Sequence, residues 1–98
     1  VAAAARSLAV ELAPDVLVNV VVPGQFDTPA LGRFQAAQAA NEGTTIEGLR
    51  ADHLETIPIG RFGRAQELAD LVAFLSSENA SFITGSIIRI DGGAVRGF

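Results

Sequence analysis

Residues 16–24 read VLVNVVVPG, and this stretch decides the fold. Its first seven residues are all valine or leucine except for Asn19. An exposed antiparallel strand would alternate between apolar and polar residues, whereas an unbroken run of this kind is typical of a parallel strand buried on both faces. Pro23 and Gly24 then end the run abruptly. We therefore predict a buried strand over residues 16–22.

The flanking segments predict an alternation of helices and strands around this run. Residues 1–13 combine helical spacing of apolar positions with several alanines, and Pro14 ends them. Residues 65–77 place leucines and a valine on one helical face. Residues 86–90, SIIRI, predict a second strand, which Asp91 and two glycines close with a turn. A buried strand, a crossover and a second strand indicate a right-handed parallel unit, so the fold class is α/β.

The least regular part of the chain is residues 31–56, which we predict to be an insert after the first strand. Thr28 followed by proline is a helix-start signal, because threonine can cap a helix and proline suits its first position. Residues 34–41 and 46–57 predict two short helical pieces, separated at Gly43. The predicted order is therefore helix, strand, insert, helix and strand.

Composition excludes several classes of function. The 98 residues suffice for one small domain, and they contain no cysteine, which rules out disulfides, thiolate metal sites and a cysteine nucleophile. A net charge of −4, with scattered arginines, disfavours nucleic-acid and anionic-membrane surfaces. There is also no tyrosine and no lysine, so these residues cannot complete a mechanism that needs a tyrosine acid or a lysine ammonium.

Five segments of the chain carry a resemblance to a known family: RSLAVELAP at 6–14, VNVVVPGQFDT at 18–28, PIGRFG at 58–63, ELADLVAFLSSEN at 67–79 and ITGSIIRIDGG at 83–93. Together they resemble the C-terminal portion of a short-chain dehydrogenase/reductase. The resemblance implies that residues 1–98 are the C-terminal part of a single Rossmann-like, doubly wound parallel-sheet domain. It also implies an oxidoreductase that uses NAD or NADP and moves a hydride between the nicotinamide and a carbonyl or alcohol carbon.

The resemblance further implies which residues meet the cofactor. The family's catalytic serine and Tyr-x-x-x-Lys pair would precede residue 1, so we expect no catalytic residue and no metal ligand in this chain. Pro23 and Gly24 resemble the turn that packs beside the nicotinamide. The backbone of Phe26 resembles the position that pairs with the carboxamide, and Thr28 resembles the threonine that bonds the carboxamide or phosphate. Residues 31–56 resemble the substrate lid.

Elementary physics agrees with this cofactor-binding set. Ligands of open α/β sheets bind outside the carboxyl ends of the strands, where Pro23 and Gly24 are predicted to lie. Gly24 has no Cβ, so a flat ring can approach its backbone closely. Thr28 precedes a predicted helix N-terminus, where amide N–H groups attract anions.

Other polar residues have simpler interpretations. Asn19 is expected to make a structural hydrogen bond to a neighbouring loop. His53 could act as an acid or base in the lid, but we expect a solvated position on a helix face. Arg61 and Arg64 could touch a phosphate, but we expect a solvated connector or a salt bridge to Glu67.

Two alternatives belong to other functional classes. Residues 60–63, GRFG, match the G-x-x-G loop of some nucleic-acid-binding modules, although the acidic net charge argues against it. The chain could instead be a non-catalytic assembly module. The family resemblance and the apolar character of residues 65–77 and 86–98 predict a homo-oligomer, with a tetramer expected. We expect a cytoplasmic enzyme of small carbonyl or alcohol substrates, with neither nucleic acid nor membrane as a partner.

Overall fold

In residues 1–94 the chain forms four α-helices and a two-stranded sheet. The computed structural model describes residues 1–94, which leaves residues 95–98 of the predicted assembly surface outside the described part. The elements are α1 (Ala2–Leu12), β1 (Val20–Pro23), α2 (Pro29–Glu42), α3 (Ile46–Glu55), α4 (Ala65–Leu75), a short 3₁₀ helix (Glu78–Ala80) and β2 (Ile87–Ile90). This order confirms the predicted alternation.

The two strands pair in parallel, as predicted. Val20 lies opposite Ile87 and Pro23 opposite Ile90. The ladder is flanked at its end by a hydrogen bond from the Gly24 N–H to the Ile90 carbonyl, 3.0 Å long. Because the strands are parallel and in register, their carboxyl ends meet at one edge of the sheet.

The first strand is shorter and less buried than the sequence predicts. Its ladder begins at Val20 rather than at residue 16. The reason lies at Val18, whose N–H donates to the Thr84 hydroxyl at 3.0 Å and whose carbonyl accepts from Gly85 at 2.7 Å. The turn before β2 thus takes the bonds that a strand partner would take. Val20 to Val22 are half-buried rather than buried, because in residues 1–94 the sheet has only two strands.

Asn19 has the structural role that was expected of it. Its Nδ2 donates to the Ile83 carbonyl at 3.0 Å, and its Oδ1 accepts from the Ser86 N–H at 3.1 Å. The single polar residue of the run therefore ties β1 to the turn that leads into β2.

The insert contains two helices with well-defined ends. Thr28 caps α2, and Gly43 ends it in the left-handed conformation with φ of 67°. The predicted piece at residues 34–41 is therefore too short, since the cap and Pro29 start the helix earlier. Thr45 caps α3. The two helices pack on each other, and their buried side chains form a small core with the connector: Gln35, Ala39, Leu49, Ile57 and Phe62.

The remaining helices keep much of their apolar surface exposed. Val72 and Phe74 of α4 are 47% and 45% exposed, and no residue of this helix is fully buried. The described chain is elongated, at 52 × 24 × 23 Å, with a radius of gyration of 16.7 Å. A compact domain of this length has a radius of about 13 Å. Among residues 1–94, no helix is long and apolar enough to cross a membrane.

Candidate functional site

The carboxyl ends of the two strands touch at Gly24 and Asp91. A Cβ added to Gly24 would lie 2.6 Å from the Cβ of Asp91 and 2.8 Å from its Cα. Glycine is therefore required here by packing within the chain itself. The reason predicted from the sequence, a close approach by a flat ring, is not needed to explain this residue. Asp91 also closes the predicted turn, since its Oδ1 accepts from the Gly93 N–H at 2.9 Å.

Phe26 follows this edge and packs against the connector before α4. The N–H of Gly63 donates to the Gln25 carbonyl at 3.0 Å, and the N–H of Asp27 donates to the Gly63 carbonyl at 2.8 Å. The aromatic ring covers Gly63 so closely that a Cβ there would lie 2.6 Å from the ring. In such a parallel bridge the N–H and C=O of the middle residue point the other way.

The main chain of Phe26 consequently points away from the connector. Within residues 1–94 its N–H and C=O make no hydrogen bond. A neighbouring donor and acceptor of this kind match the C=O and NH₂ of a carboxamide. The residues present therefore fit a nicotinamide carboxamide at Phe26.

Thr28 caps α2 and still has a donor to offer. Its Oγ1 accepts from the Leu31 N–H at 3.2 Å, and its carbonyl accepts from Gly32. A hydroxyl that accepts one bond retains its own O–H donor. Pro29 has no N–H, so Ala30 supplies the first amide of the helix. The helix end thus presents a hydroxyl and an amide to a polar or anionic group.

A cavity of about 110 Å³ lies beside this edge of the sheet. Of the four predicted cofactor residues it includes Phe26 and omits Pro23, Gly24 and Thr28. Its lining is formed by Gln25, Phe26, Ile59, Arg61, Gly63, Glu67, Ile90, Asp91 and Gly92. The Gln25 Oε1 is buried with no hydrogen-bond partner in the described part of the chain. The cavity has room for a water molecule to satisfy it.

A polar network links this loop to the lid helices. Arg50 of α3 donates from Nη1 to the Gln35 Oε1 at 2.8 Å and from Nη2 to the Asp27 Oδ1 at 3.3 Å. Its guanidinium also lies over the ring of Phe62, 4.5 Å from the centroid. The Nε2 of Gln35 lies 3.1 Å from the Nδ1 of His53.

This network corrects one sequence interpretation. His53 is half-buried and bonded to Gln35, not solvated, because α3 packs on α2 along this face. Sequence reasoning also missed Gln35 and Arg50. Gln35 and Ala39 are four residues apart and therefore lie on the same face of α2, and both are fully buried. This helical spacing is the sequence signal that could have indicated a buried glutamine.

The arginines of the connector face Glu67, as expected. Arg61 makes two hydrogen bonds to its carboxylate, of 2.8 and 2.9 Å, and the backbone N–H of Arg64 donates a third of 2.9 Å. These bonds lower the pKa of Glu67 to about 2, with the Arg61 contact as the largest cause. Arg61 thus makes the expected salt bridge to Glu67.

Two apolar side chains of the predicted lid segment differ in exposure. Phe34 is 61% exposed on α2, whereas Leu49 of α3 is buried in the small core between the helices. Phe34 is therefore accessible to a substrate, and Leu49 is not.

Comparison with known proteins places this geometry in a family. A family model described as enoyl-(acyl carrier protein) reductase matches residues 1–95. The 3-oxoacyl-[acyl-carrier-protein] reductase FabG of Aquifex aeolicus is 43% identical over 89 residues, which are 90% of this chain and 32% of that protein. The chain spans about a third of the length of the curated relatives it matches.

Solved structures agree. A short-chain dehydrogenase family protein of Francisella tularensis superposes with a TM-score of 0.88 at 36% identity, covering 95% of this chain and 39% of that one. The L-sorbose reductase of Gluconobacter frateurii, solved with NADPH and L-sorbose, gives a TM-score of 0.87 at 30% identity, covering 99% and 38%. The chain belongs to the short-chain dehydrogenase/reductase family, in the group that the enoyl-(acyl carrier protein) reductase model describes.

Proposed function

We propose that this chain serves an NAD- or NADP-dependent oxidoreductase of small carbonyl or alcohol substrates. The observation that carries the proposal is the main chain of Phe26, whose N–H and C=O face away from the connector beside the capped start of α2. The relatives that support it are the NADPH complex of L-sorbose reductase and the 3-oxoacyl reductase of Aquifex aeolicus.

In this proposal the chain's residues bind and orient the cofactor. The N–H and C=O of Phe26 would pair with the carboxamide and orient it. Pro23 and Gly24 would flank the ring, and the Thr28 hydroxyl would donate to the carboxamide or to a phosphate. When bound, the nicotinamide supplies or accepts the hydride.

The chemistry that the chain lacks must come from elsewhere. Residues 1–98 contain no tyrosine and no lysine for proton transfer. We propose that they form the C-terminal part of the dinucleotide-binding domain, with residues 31–56 as the substrate lid. The two-stranded sheet and the third of a relative's length that the chain spans support its being part of a larger domain. The order of the five family-like segments between residues 6 and 93 supports the C-terminal placement.

We propose further that the full-length protein is a homo-oligomer, with a tetramer expected, and that it acts in the cytoplasm. The exposed apolar residues of α4 and β2 support an assembly surface. Neither a nucleic acid nor a membrane is proposed as a partner.

Fluorescence titration of the full-length protein with NADPH and NADH tests the function. Saturable binding of at least one cofactor, together with oxidation or reduction of a panel of ketones and alcohols, is expected. Isolated residues 1–98 should show background turnover only. A folded full-length protein that binds neither cofactor would favour the non-catalytic assembly alternative, whereas robust turnover by residues 1–98 would contradict the assignment of proton transfer to other residues.

A further inference from the structure

Arg50 occupies the junction between the lid helices and the loop at Phe26 to Thr28. From α3 it reaches Asp27 in that loop, Gln35 on α2 and the ring of Phe62 in the connector. The loop, α2 and the connector therefore meet at one guanidinium. An arginine suits this task because its planar fork offers several donors in fixed directions and stacks on an aromatic face.

The orientation of the Gln35 amide follows from Arg50. Gln35 is fully buried, with 0% exposure. Arginine can only donate, so the amide oxygen must face Arg50 and the amide nitrogen must face His53. His53 then accepts at Nδ1. Arg50 of α3 thus donates both to Asp27 in the loop and to Gln35 on α2, and Gln35 in turn donates to His53 of α3.

Asp27 connects this network to the cofactor-facing groups. It lies between Phe26 and Thr28, and its own N–H is held by the Gly63 carbonyl. Its side chain is largely exposed, so the ion pair with Arg50 is the contact that ties this carboxylate to the lid.

We propose that Arg50 is a positioning residue that couples the lid helices to the Phe26–Thr28 loop through Asp27. This rests on the proposed function, because the loop is taken to hold the nicotinamide. With the pair intact, the loop is ordered before the cofactor arrives; without it, binding must order the loop, and affinity falls.

Charge and loop positioning predict opposite changes in cofactor affinity for Asp27→Asn. Asp27→Asn removes a negative charge near the site of an anionic cofactor, so charge alone would tighten binding. If the Asp27–Arg50 pair positions the loop, Asp27→Asn should instead weaken cofactor binding. An exposed ion pair corresponds to about a two- to five-fold change in an equilibrium constant. We expect Asp27→Asn to raise the Kd for NADPH or NADH of the full-length protein by that factor at low salt.

Salt and matched variants sharpen the result. The ratio of variant to wild-type Kd should shrink towards one near 1 M NaCl, where charges are screened beyond about 3 Å.

Arg50→Lys preserves the positive charge but not the planar guanidinium, and it should also weaken cofactor binding. The double variant should be no weaker than the worse single variant, because both break one link. Asp52→Asn, an exposed acid on the same helix, is the control and should not weaken binding.

Hydrogen exchange of the cofactor-free protein provides an independent readout. Amides of residues 25–34 should exchange faster in Asp27→Asn than in wild type or Asp52→Asn. Unchanged exchange, or a Kd that stays equal or falls in Asp27→Asn, would overturn the proposal. A wild-type protein that binds neither cofactor would refute the proposed function instead, and the exchange comparison would still decide whether Arg50 orders the loop.

Discussion

Gly24 and Asp91 lie in direct contact where the two parallel strands end. The backbone of Gly24 leaves no room for a side chain, since an added Cβ would lie 2.6 Å from the Asp91 Cβ. The Gly24 N–H also donates to the carbonyl of Ile90, the residue before Asp91. The two strand ends can lie this close because Gly24 has no side chain. The same contact positions the loop that follows β1.

Gly24→Ala should destabilise the full-length protein. The added methyl must displace the Asp91 backbone, and overpacking of this kind costs about 1–3 kcal/mol. Gly32→Ala is the matched control, because its Cβ would meet nothing within 4 Å and alanine favours the helix interior of α2. The control should stabilise the protein by up to about 1 kcal/mol. Urea unfolding measures both changes, and equal stability of wild type and Gly24→Ala would contradict the packing argument.

Glu67 should make stability depend on pH in the acid range. Its pKa falls from 4.5 to about 2 on folding, because Arg61 and the backbone N–H of Arg64 bond the ionised form. The stabilisation is fully present above the unfolded pKa and is lost as pH falls through the folded value, between about 4.5 and 2. Urea unfolding at pH 7, 4 and 2.5 should show a shallower acid loss for Glu67→Gln than for wild type. Glu11→Gln, on the exposed surface of α1, should retain the wild-type slope.

Thr28→Val should weaken cofactor binding by the full-length protein. Loss of one hydrogen bond costs about 0.5–1.5 kcal/mol, which corresponds to roughly a two- to ten-fold higher Kd. The variant also loses the cap of α2, worth about 1 kcal/mol of stability. Thr45→Val removes the equivalent cap of α3 and controls for that loss. If both variants lower stability alike and neither changes the Kd, Thr28 acts as a cap alone.

Residues 31–56 should exchange their amide hydrogens faster in the cofactor-free enzyme than in the complex with cofactor and substrate. The segment is two helices that pack mainly on each other, and its hinge is the left-handed Gly43. Glycine is a common hinge residue, but Gly48 lies inside the first turn of α3 and is held in the helix. Peptides from α4 serve as the internal reference. Equal protection of residues 31–56 in both states would identify a rigid insert rather than a lid.

The elements with strong local signals could be predicted from sequence. The apolar run before Pro23, the periodic stripe of α4 and the glycine turn after Asp91 each fix their structure within a few residues. Their boundaries could not be predicted, because distant groups decide them. The Thr84 hydroxyl, 66 residues from Val18, takes the bond that would have extended β1.

Sequence could predict only those parts of the candidate site whose residues are close together along the chain. The proximity of Phe26 and Thr28 follows from their spacing, and the family motif names both. Arg50 and Gln35 are 15 residues apart on different helices, and neither has a motif. Their meeting depends on how α2 packs on α3, which a weakly patterned insert does not reveal. Long-range polar contacts of this kind require the fold itself.

The surface formed by α4 and β2 is apolar and uncovered in the described part of the chain. In residues 1–94, Phe74 of α4 is nearly half-exposed, Ile87 of β2 is 38% exposed, and the outer edge of β2 has no strand partner. An unpaired strand edge and an apolar helix face both need cover, and a two-fold axis can supply it with a second copy of each. The full-length protein should therefore associate through this surface.

Phe74→Glu together with Ile87→Glu should lower the mass of the full-length protein in light scattering, because buried carboxylates would oppose each other across the axis. Ile87 belongs to the β2 ladder, so Phe74→Glu alone is the milder variant that keeps β2 intact. Phe34→Glu introduces the same charge on α2 and should leave the mass unchanged. Circular dichroism confirms that each variant is folded. A folded double variant with the wild-type mass would show that the subunits meet elsewhere, since two glutamates at a shared apolar contact could not both stay buried without a partner.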